Sequence, residues 1–304
     1  MPGHAAALLA SPSDPWLHAS YPFTIRCGPL IVRWFLDHPA VAHALRYHWY
    51  ETPTTAPADV EMYAQAAAVT PAQARRLIRP LQMHADEGGA AITVRFGTAA
   101  EAVWDRAARR MVCRYDAGMP TPTAVELFDI LAANLIPLWL ADHGGVVLHA
   151  CGVLTDGAAD LFVGCSGSGK STLAASVAPE RVLHDEGLIV FADAAGCWAT
   201  PAPWRNAQWP HHVGRLWPVS RIFLLARQRQ RLLERVPGVE ALRLLLAEGP
   251  CELRRVSQPY GDRLALVGRL VEQRPCYRLQ YQWPLDDPWA LVSAATARRH
   301  MEES

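Results

Sequence analysis

The stretch Gly164-Cys165-Ser166-Gly167-Ser168-Gly169-Lys170-Ser171 decides the fold of this chain, because it has the form G-x-x-x-x-G-K-[ST] of a phosphate-binding loop. Glycines at these positions let the backbone curl until successive N–H groups point inward at an anion. Lys170 adds a positive charge that can reach the β- and γ-phosphates of a nucleotide, and the Ser171 hydroxyl can bind Mg²⁺. The motif predicts a nucleotide site formed by these residues and the following Thr172.

The residues on either side of the loop suit this function. Asp160–Val163 is a largely apolar run that is typical of a buried strand, and Ser171–Ala178 is compatible with a helix ending before Pro179. A strand, a glycine-rich loop and a helix N-terminus together form an anion site, because the unpaired N–H groups and the dipole of the helix face the phosphates.

The composition limits the class of protein. The chain has 304 residues, 51% of them hydrophobic, with 29 Lys+Arg and 29 Asp+Glu. This balance gives no electrostatic reason to expect binding to nucleic acid or to an acidic membrane surface. A chain of this length favours two domains.

The cysteines and the apolar segments indicate a cytoplasmic protein. The seven cysteines contain no C-x-x-C pair, which favours free thiols in a reducing compartment over a zinc site or a disulfide framework. Cys165 is either an oxidation-sensitive thiol or a tolerated loop residue.

The N-terminus lacks the pattern of a signal peptide. The longest apolar region, Leu127–Leu140, is interrupted by Asp129, Asn134 and Pro137, and it predicts a buried helix rather than a membrane span.

The pattern predicts a small α+β N-terminal domain over residues 1–118, which carries no chemical motif of its own. Its predicted elements are strands at Phe23–Cys27 and Leu30–Trp34, a helix at Val41–Tyr47, a helix from Thr70 to about Ile78, and two alternating stretches, Ala91–Phe96 and Arg110–Tyr115, that could pair as strands.

Residues 119–304 predict an α/β domain that contains the loop. Thr123 can cap a helix that ends at Gly144, and Asp156-Gly157 is a strong turn signal. The other predicted elements are strands at Val146–Leu154, Val182–His184, Leu188–Phe191, Cys197–Ala199, Arg221–Leu225 and Tyr277–Tyr281, and helices at about Val239–Ala247, Asp262–Glu272 and from Pro288.

Two further sites could carry chemistry. Asp185-Glu186 follows a predicted strand, where a phosphate-loop protein needs a carboxylate. Adjacent carboxylates can divide two tasks, one holding Mg²⁺ and the other accepting a proton from an attacking hydroxyl; the alternative is a solvated acidic turn. His149 lies in an otherwise apolar run and is, by itself, either catalytic or a structural core histidine.

In combination, Leu148-His149-Ala150, the loop at 164–171 and Leu183-His184-Asp185-Glu186 resemble the HPr serine kinase/phosphorylase superfamily. The likeness is greatest to its divergent HPr-kinase-related branch, which includes kinases of lasso-peptide precursors, and it covers roughly residues 120–284, including Thr200–Asn206. The resemblance implies a P-loop kinase core of the HPr kinase / PEP carboxykinase-like type, and an active site formed by His149, Lys170, Ser171, Asp185 and Glu186.

The chain also departs from true HPr kinases. The acidic pair is Asp-Glu instead of Asp-Asp, the glycine after the histidine is Ala150, and an E-[IV]-R-G-L-G-like run is not found. Because that run is associated with the phosphorylase reaction and with HPr binding, the resemblance supports neither HPr as the substrate nor the reverse dephosphorylation.

The expected activity is therefore an ATP- and Mg²⁺-dependent transfer of the γ-phosphoryl group to a hydroxyl, on a Ser of a peptide or small protein such as a RiPP precursor. Lys170 and the loop amides would hold the triphosphate, and Ser171 with Glu186 would hold the metal. Asp185, which is also a candidate metal ligand, would deprotonate the acceptor, and His149 would lie near the γ-phosphate. The N-terminal domain would recognise the acceptor or mediate assembly of a homo-oligomer.

Three alternatives remain open. A small-molecule kinase or a carboxykinase-like enzyme would share the same site. A nucleotide-dependent switch or ATPase would use the loop without an acceptor, although Arg181–Asp185 is a poor copy of a Walker B strand, which has four apolar residues before its Asp. A non-catalytic scaffold is disfavoured because all the expected polar residues are present.

Overall fold

The computed structural model describes residues 21–49, 51–67, 81–85, 91–96, 99–141, 143–203, 209–226, 231–248, 260–282 and 286–293. These residues form a mixed α/β protein with two sheets and several helices. By its internal contacts the chain divides into two units, residues 1–139 with 203–210 and residues 140–202 with 211–304. This division falls near the end of the helix that follows Met119, whereas the sequence predicted a boundary before that helix.

The first unit is built on a seven-stranded sheet in the order β1-β2-β3-β7-β6-β5-β4. The β2/β3 and β3/β7 pairs are parallel, and the other pairs are antiparallel. Its elements are β1 (Tyr21–Cys27), β2 (Leu30–Leu36), α1 (Pro39–His48), β3 (Val60–Ala67), β4 (Leu81–Ala85), β5 (Ala91–Phe96), β6 (Ala100–Asp105), β7 (Arg110–Asp116) and α2 (Thr121–Ala141).

The predicted pairing of Ala91–Phe96 with Arg110–Tyr115 is wrong. Both strands are present, but β6 lies between them and pairs antiparallel with each. The sequence did not predict β6 or β3, which have Ala or Glu at about half of their positions and therefore have low intrinsic strand propensity. Strand β3 pairs with β2 and β7, which are distant in the chain, whereas β6 pairs with its sequence neighbours β5 and β7. The strand conformation of both segments follows from this pairing and not from local propensity. The helix predicted from Thr70 lies outside the described residues.

Helix α2 groups with the first unit through two of its side chains. Asp129 accepts a hydrogen bond from the Trp49 indole at 2.5 Å, and its other oxygen lies 2.8 Å from Nε2 of His48. Phe128 packs edge-on against Trp34, with ring centroids 5.6 Å apart. These contacts join α2 to α1 and to the sheet.

Helix α2 begins at Thr121 and not after Thr123, the predicted cap, because Pro122 is tolerated in a first helical turn. Among the described helices, none is long and apolar enough to cross a membrane.

The second unit contains a nine-stranded arrangement in the order β11-β9-β10-β14-β13-β12-β8, to which β16 adds beside β14 and β15 beside β16. Strands β10, β14 and β16 are mutually parallel neighbours, so their carboxyl ends meet at one edge. Its elements are β8 (Gly145–Leu148), β9 (Ala150–Thr155), β10 (Ala158–Val163), α3 (Lys170–Ala175), β11 (Val182–His184), β12 (Leu188–Asp193), β13 (Gly196–Pro201), β14 (Trp217–Leu225), β15 (Leu232–Arg235), α4 (Gly238–Glu248), α5 (Tyr260–Gln273) and β16 (Cys276–Gln280), with 3₁₀ turns at Pro179–Arg181 and Pro210–His212 and helical residues at 288–293.

Two predicted elements of this unit need correction. The single strand predicted over Val146–Leu154 is two strands, because β8 pairs with β12 whereas β9 pairs with β10 and β11; His149 lies between them. The helix predicted over Ser171–Ala178 spans only Lys170–Ala175. It ends at Ser176, whose hydroxyl donates back to a carbonyl of the last turn and accepts a bond from an indole N–H, and such side-chain bonds compete with helix continuation.

Both faces of β10 are covered, which explains its apolar sequence. Leu161 and Val163 belong to the buried cluster on one face. Phe162 points to the other face, where it stacks on Phe223 at 4.9 Å. The turn before β10 is the predicted Asp156-Gly157, with φ values of 52° and 79°, as a two-residue hairpin loop requires. The strand that leads into the loop is therefore paired with a neighbour on each side and covered on both faces.

Candidate functional site

The strand pairing brings His149 and the acidic pair together. Leu148 pairs with Leu188 and Gly152 pairs with His184 in one common antiparallel register, so residues 149–151 lie opposite residues 185–187. The ladder is interrupted on both strands at this point. His149 lies in one interruption, and Asp185 and Glu186 lie in the other.

The phosphate loop begins beside this interruption. Val163, the last residue of β10, pairs with Ala150, the first residue of β9, and the loop follows at Gly164. In an open α/β sheet, ligands bind outside the carboxyl ends of the strands. The loop, His149 and the acidic pair therefore meet at such an edge, although they are well separated in the sequence.

A cavity of about 380 Å³ is lined by His149, Ser166, Gly167, Gly169, Lys170, Ser171, Thr172, Asp185 and Glu186. Every one of these is a residue that the sequence predicted for the site. The other predicted residues, Gly164, Cys165 and Ser168, belong to the same loop but are not part of the cavity wall. Gly164 is buried, Cys165 is exposed and Ser168 is half-buried.

The loop has the backbone that its glycines predict. Gly167 and Gly169 have φ values of 72° and 103°, where side-chain-bearing residues are strained. At Gly164 the requirement is space, because a Cβ there would lie 2.7 Å from Oγ of Ser168 and 3.1 Å from Cβ of Leu225. Gly167 and Gly169 are thus required by backbone conformation, and Gly164 is required by the space around it.

Lys170 is only 5% exposed. Its ammonium donates to the carbonyl oxygens of Gly164 at 2.5 Å and of Cys165 at 3.0 Å. A buried charge needs such partners, and here the loop itself provides them. Because Lys170 also lines the cavity, its charge is held where an anionic ligand of the loop would meet it.

Helix α3, which follows the loop, is shorter than the sequence predicted. It has 6 residues, so its dipole is small, and any attraction for an anion would come mainly from the loop N–H groups and Lys170. Ser171 is exposed and Thr172 is half-buried, both in the first turn of the helix.

Two opposite charges act on the thiol of Cys151 on β9. Burial raises the pKa of its thiol, the carboxylate of Asp185 raises it further, and the ammonium of Lys170 opposes this effect. The thiol is therefore neutral, and both charged groups act on it from nearby. This places the predicted base and the predicted phosphate-binding cation in one electrostatic environment.

Tyr281 was not predicted as a site residue. Its hydroxyl donates to the Gly169 carbonyl at 3.1 Å, and burial raises its pKa to about 12. The residue follows β16, which lies next to β14 and only two strands from β10. Sequence alone could not reveal this contact, because it depends on the order of strands in the sheet.

The residues present suit a magnesium nucleotide. Within the described residues, no group of three or more His, Cys, Asp or Glu side chains could hold a metal by itself. Mg²⁺ usually takes one or two carboxylates together with waters and substrate phosphates, so a complete protein cage is not required. Ser171, Asp185 and Glu186 supply hard oxygen ligands around the same cavity.

A larger cavity, of about 680 Å³, lies elsewhere in the second unit. It is lined by residues 235–238 and 271–277, at the start of β16, whereas the phosphate loop follows the end of the parallel strand β10. The two cavities therefore lie at opposite edges of the sheet, and the larger one contains no predicted site residue.

No protein-family model matches the chain, and no curated protein is significantly similar to it. A function must therefore be argued from the site itself.

Proposed function

We propose that this protein is an ATP- and Mg²⁺-dependent kinase with a P-loop core of the HPr kinase / PEP carboxykinase-like type, which transfers the γ-phosphoryl group to a hydroxyl. The observation that carries the proposal is the cavity that combines the phosphate loop, Lys170, the Asp185-Glu186 pair and His149. Phosphoryl transfer needs a phosphate cradle, a metal site and a group that positions the nucleophile, and this cavity has residues for each.

The use of basic residues supports the role of Lys170. It is the only lysine in the sequence, so every other residue among the 29 Lys+Arg is an arginine. Lysine carries a compact ammonium on a flexible stem, whereas arginine carries a broad planar fork. A chain that otherwise uses arginine throughout, but lysine in the loop, is consistent with a site that requires the compact cation.

In the proposed reaction the acceptor oxygen attacks the γ-phosphorus, the bond from that phosphorus to the β–γ bridging oxygen breaks, and ADP leaves. The proton of the acceptor hydroxyl passes to Asp185, acting as general base. Mg²⁺ would neutralise charge on the phosphate oxygens, and Ser171 and Glu186, with Asp185 as a further candidate, would hold it.

His149 has the supporting role in this scheme. It is half-buried and lines the cavity, in the strand interruption opposite the acidic pair. From there it would donate a hydrogen bond to the γ-phosphate or orient Asp185. The paired residues on either side of the interruption, Leu148 and Ala150, are buried, whereas His149 lines the cavity, and this favours a role in the site over that of a core histidine.

The proposed acceptor is a Ser of a peptide or small protein, and this part of the proposal rests on the resemblance to HPr-kinase-related proteins. The first unit, which carries no site residue, would recognise the acceptor or mediate assembly. A small-molecule kinase would share the same cavity, and the acceptor must therefore be found by experiment.

The test is transfer from γ-labelled ATP by the full chain to a panel of serine-containing peptides and small alcohols, with Lys170→Ala and Asp185→Asn as controls. The expected product is a phosphate ester and ADP, formed by the wild type and lost in both variants. Hydrolysis of ATP that no acceptor changes would favour an ATPase. A product carrying AMP, or an acyl phosphate sensitive to hydroxylamine, would contradict the proposed chemistry.

A further inference from the structure

The imidazole of His184 makes an unusual pair of contacts at the end of β11. The residue is 0% exposed, and its Nδ1 accepts the backbone N–H groups of Glu186 and Gly187, each at 2.9 Å. Bonds to the N–H groups two and three residues ahead are the pattern that Asn and Asp side chains form in turns and helix caps. Because both partners are donors, Nδ1 carries no proton, and the neutral ring holds its proton on Nε2.

These two N–H groups need an acceptor because of the interrupted ladder. In a continuous register Glu186 and Gly187 would lie opposite Ala150 and His149, but the strands do not pair there. His184 supplies the missing acceptor from within its own strand. On the other side of the turn, the carbonyl of Gly187 accepts the N–H of Ala202 at 3.0 Å. The backbone that carries the acidic pair is thus fixed from two directions.

We propose that His184 is a positioning residue that holds the Asp185-Glu186 turn so that both carboxylates line the cavity, and that it thereby sets the Mg²⁺ affinity of the site. This inference rests on the proposed function, since it takes the acidic pair as metal-binding. Groups that orient metal ligands without touching the metal typically contribute about 10–100-fold to metal affinity.

The chain offers a matched pair of substitutions. In His184→Asn the amide oxygen stands at the position of Nδ1 and can accept both N–H groups. In His184→Gln the same oxygen lies one bond farther from Cβ, near the position of Nε2. A role in packing alone predicts that Gln, which is closer to His in size, is the better replacement. The positioning role predicts the reverse.

The experiment measures binding of a fluorescent ATP analogue to the full-length wild type and both variants, first in EDTA and then over a Mg²⁺ titration, with thermal unfolding recorded in parallel. The metal-free affinity should be the same in all three proteins. The Mg²⁺ concentration at half-effect should rise about tenfold or more in His184→Gln, and His184→Asn should stay close to the wild type. His184→Leu, which has no acceptor, replaces the Gln variant if that variant does not fold.

Two results would overturn the inference. An unchanged Mg²⁺ dependence in His184→Gln or His184→Leu, with wild-type nucleotide binding, would refute the positioning role alone and leave the proposed function intact. A wild type that binds no nucleotide, with or without Mg²⁺, would refute the proposed function and this inference together.

Discussion

Replacing Gly169 by alanine should damage the phosphate loop by an amount that can be worked from its geometry. Gly169 has a φ of 103°, and holding a side-chain-bearing residue in such a region costs about 1–3 kcal/mol. The new Cβ would lie 2.7 Å from Oη of Tyr281, so the tyrosine must move. Its hydrogen bond to the Gly169 carbonyl would be lost, at a further cost of about 0.5–1.5 kcal/mol.

The total of about 1.5–4.5 kcal/mol can appear in two ways. If the loop keeps its conformation, the free energy of unfolding falls by this amount. If the loop relaxes to avoid the strain, the affinity for MgATP falls instead, by about tenfold for each 1.4 kcal/mol. Urea unfolding and calorimetric titration with MgATP, done on the same preparation, measure both losses, and their sum is the predicted quantity.

Two control variants separate the backbone strain at Gly169 from the displacement of Tyr281 and from any general effect of a Gly→Ala substitution. Gly268→Ala lies within α5, and in the described part of the chain its Cβ would meet no atom within 4 Å, so it should be neutral or stabilising by up to about 1 kcal/mol. Combining Gly169→Ala with Tyr281→Phe removes the collision with the hydroxyl but leaves the backbone strain, so the double variant should lose less than the sum of the single variants. Wild-type stability together with wild-type affinity in Gly169→Ala would refute this description of the loop.

Three further predictions concern the base, the core and the thiols. Asp185→Asn should retain nucleotide binding while phosphoryl transfer falls roughly 10²-fold or more, because the proton acceptor is lost. Stopped-flow binding and product assays would measure the nucleotide affinity and the transfer rate separately. A variant impaired mainly in Mg²⁺ binding would contradict the assigned role. The buried guanidinium of Arg221 donates to both oxygens of Asp160, at 2.9 and 2.5 Å. Asp160→Ala would leave this charge without its counter-ion and should lower the free energy of unfolding by about 3–5 kcal/mol in urea titrations. A loss below about 1 kcal/mol would show that the pair is dispensable. Iodoacetamide should modify Cys165 in the native protein before the other described thiols, because Cys165 is exposed whereas burial raises the pKa of the others. Those other thiols are Cys27, Cys113, Cys151, Cys197 and Cys276. Peptide mapping would reveal the order of modification, and equal rates would contradict the prediction.

The features that sequence predicts well here are local. The phosphate loop, the Asp156-Gly157 turn and the apolar strand β10 each follow from residues within one short segment, and the structure has the turn and the strand where they were predicted. The nine cavity-lining residues were also all predicted: the loop residues from the motif, the acidic pair from its place after a strand, and His149 from the resemblance to HPr-kinase-related proteins.

The features that were not predicted depend on residues distant in the chain. The apolar pattern of Val146–Leu154 is continuous, so only the change of pairing partner from β12 to β10 and β11 reveals the interruption at His149. The contact of Tyr281 with Gly169 depends on the order of strands in the sheet. The role of His184 depends on the interrupted strand pairing, which leaves the N–H groups of Glu186 and Gly187 to bond to its imidazole. Local propensity carries no information on any of these.

The central claim is that the loop at 164–171 holds the phosphates of ATP next to Lys170. Because Lys170 is the only lysine in the sequence, an acyl-phosphate derivative of ATP, which transfers its acyl group to amines beside the bound phosphates, tests this directly. We predict a single acylated side chain, at Lys170, by mass spectrometry of the digested chain, and its disappearance when excess MgATP is present. Absence of the label at Lys170, or labelling that excess MgATP does not reduce, would contradict the account.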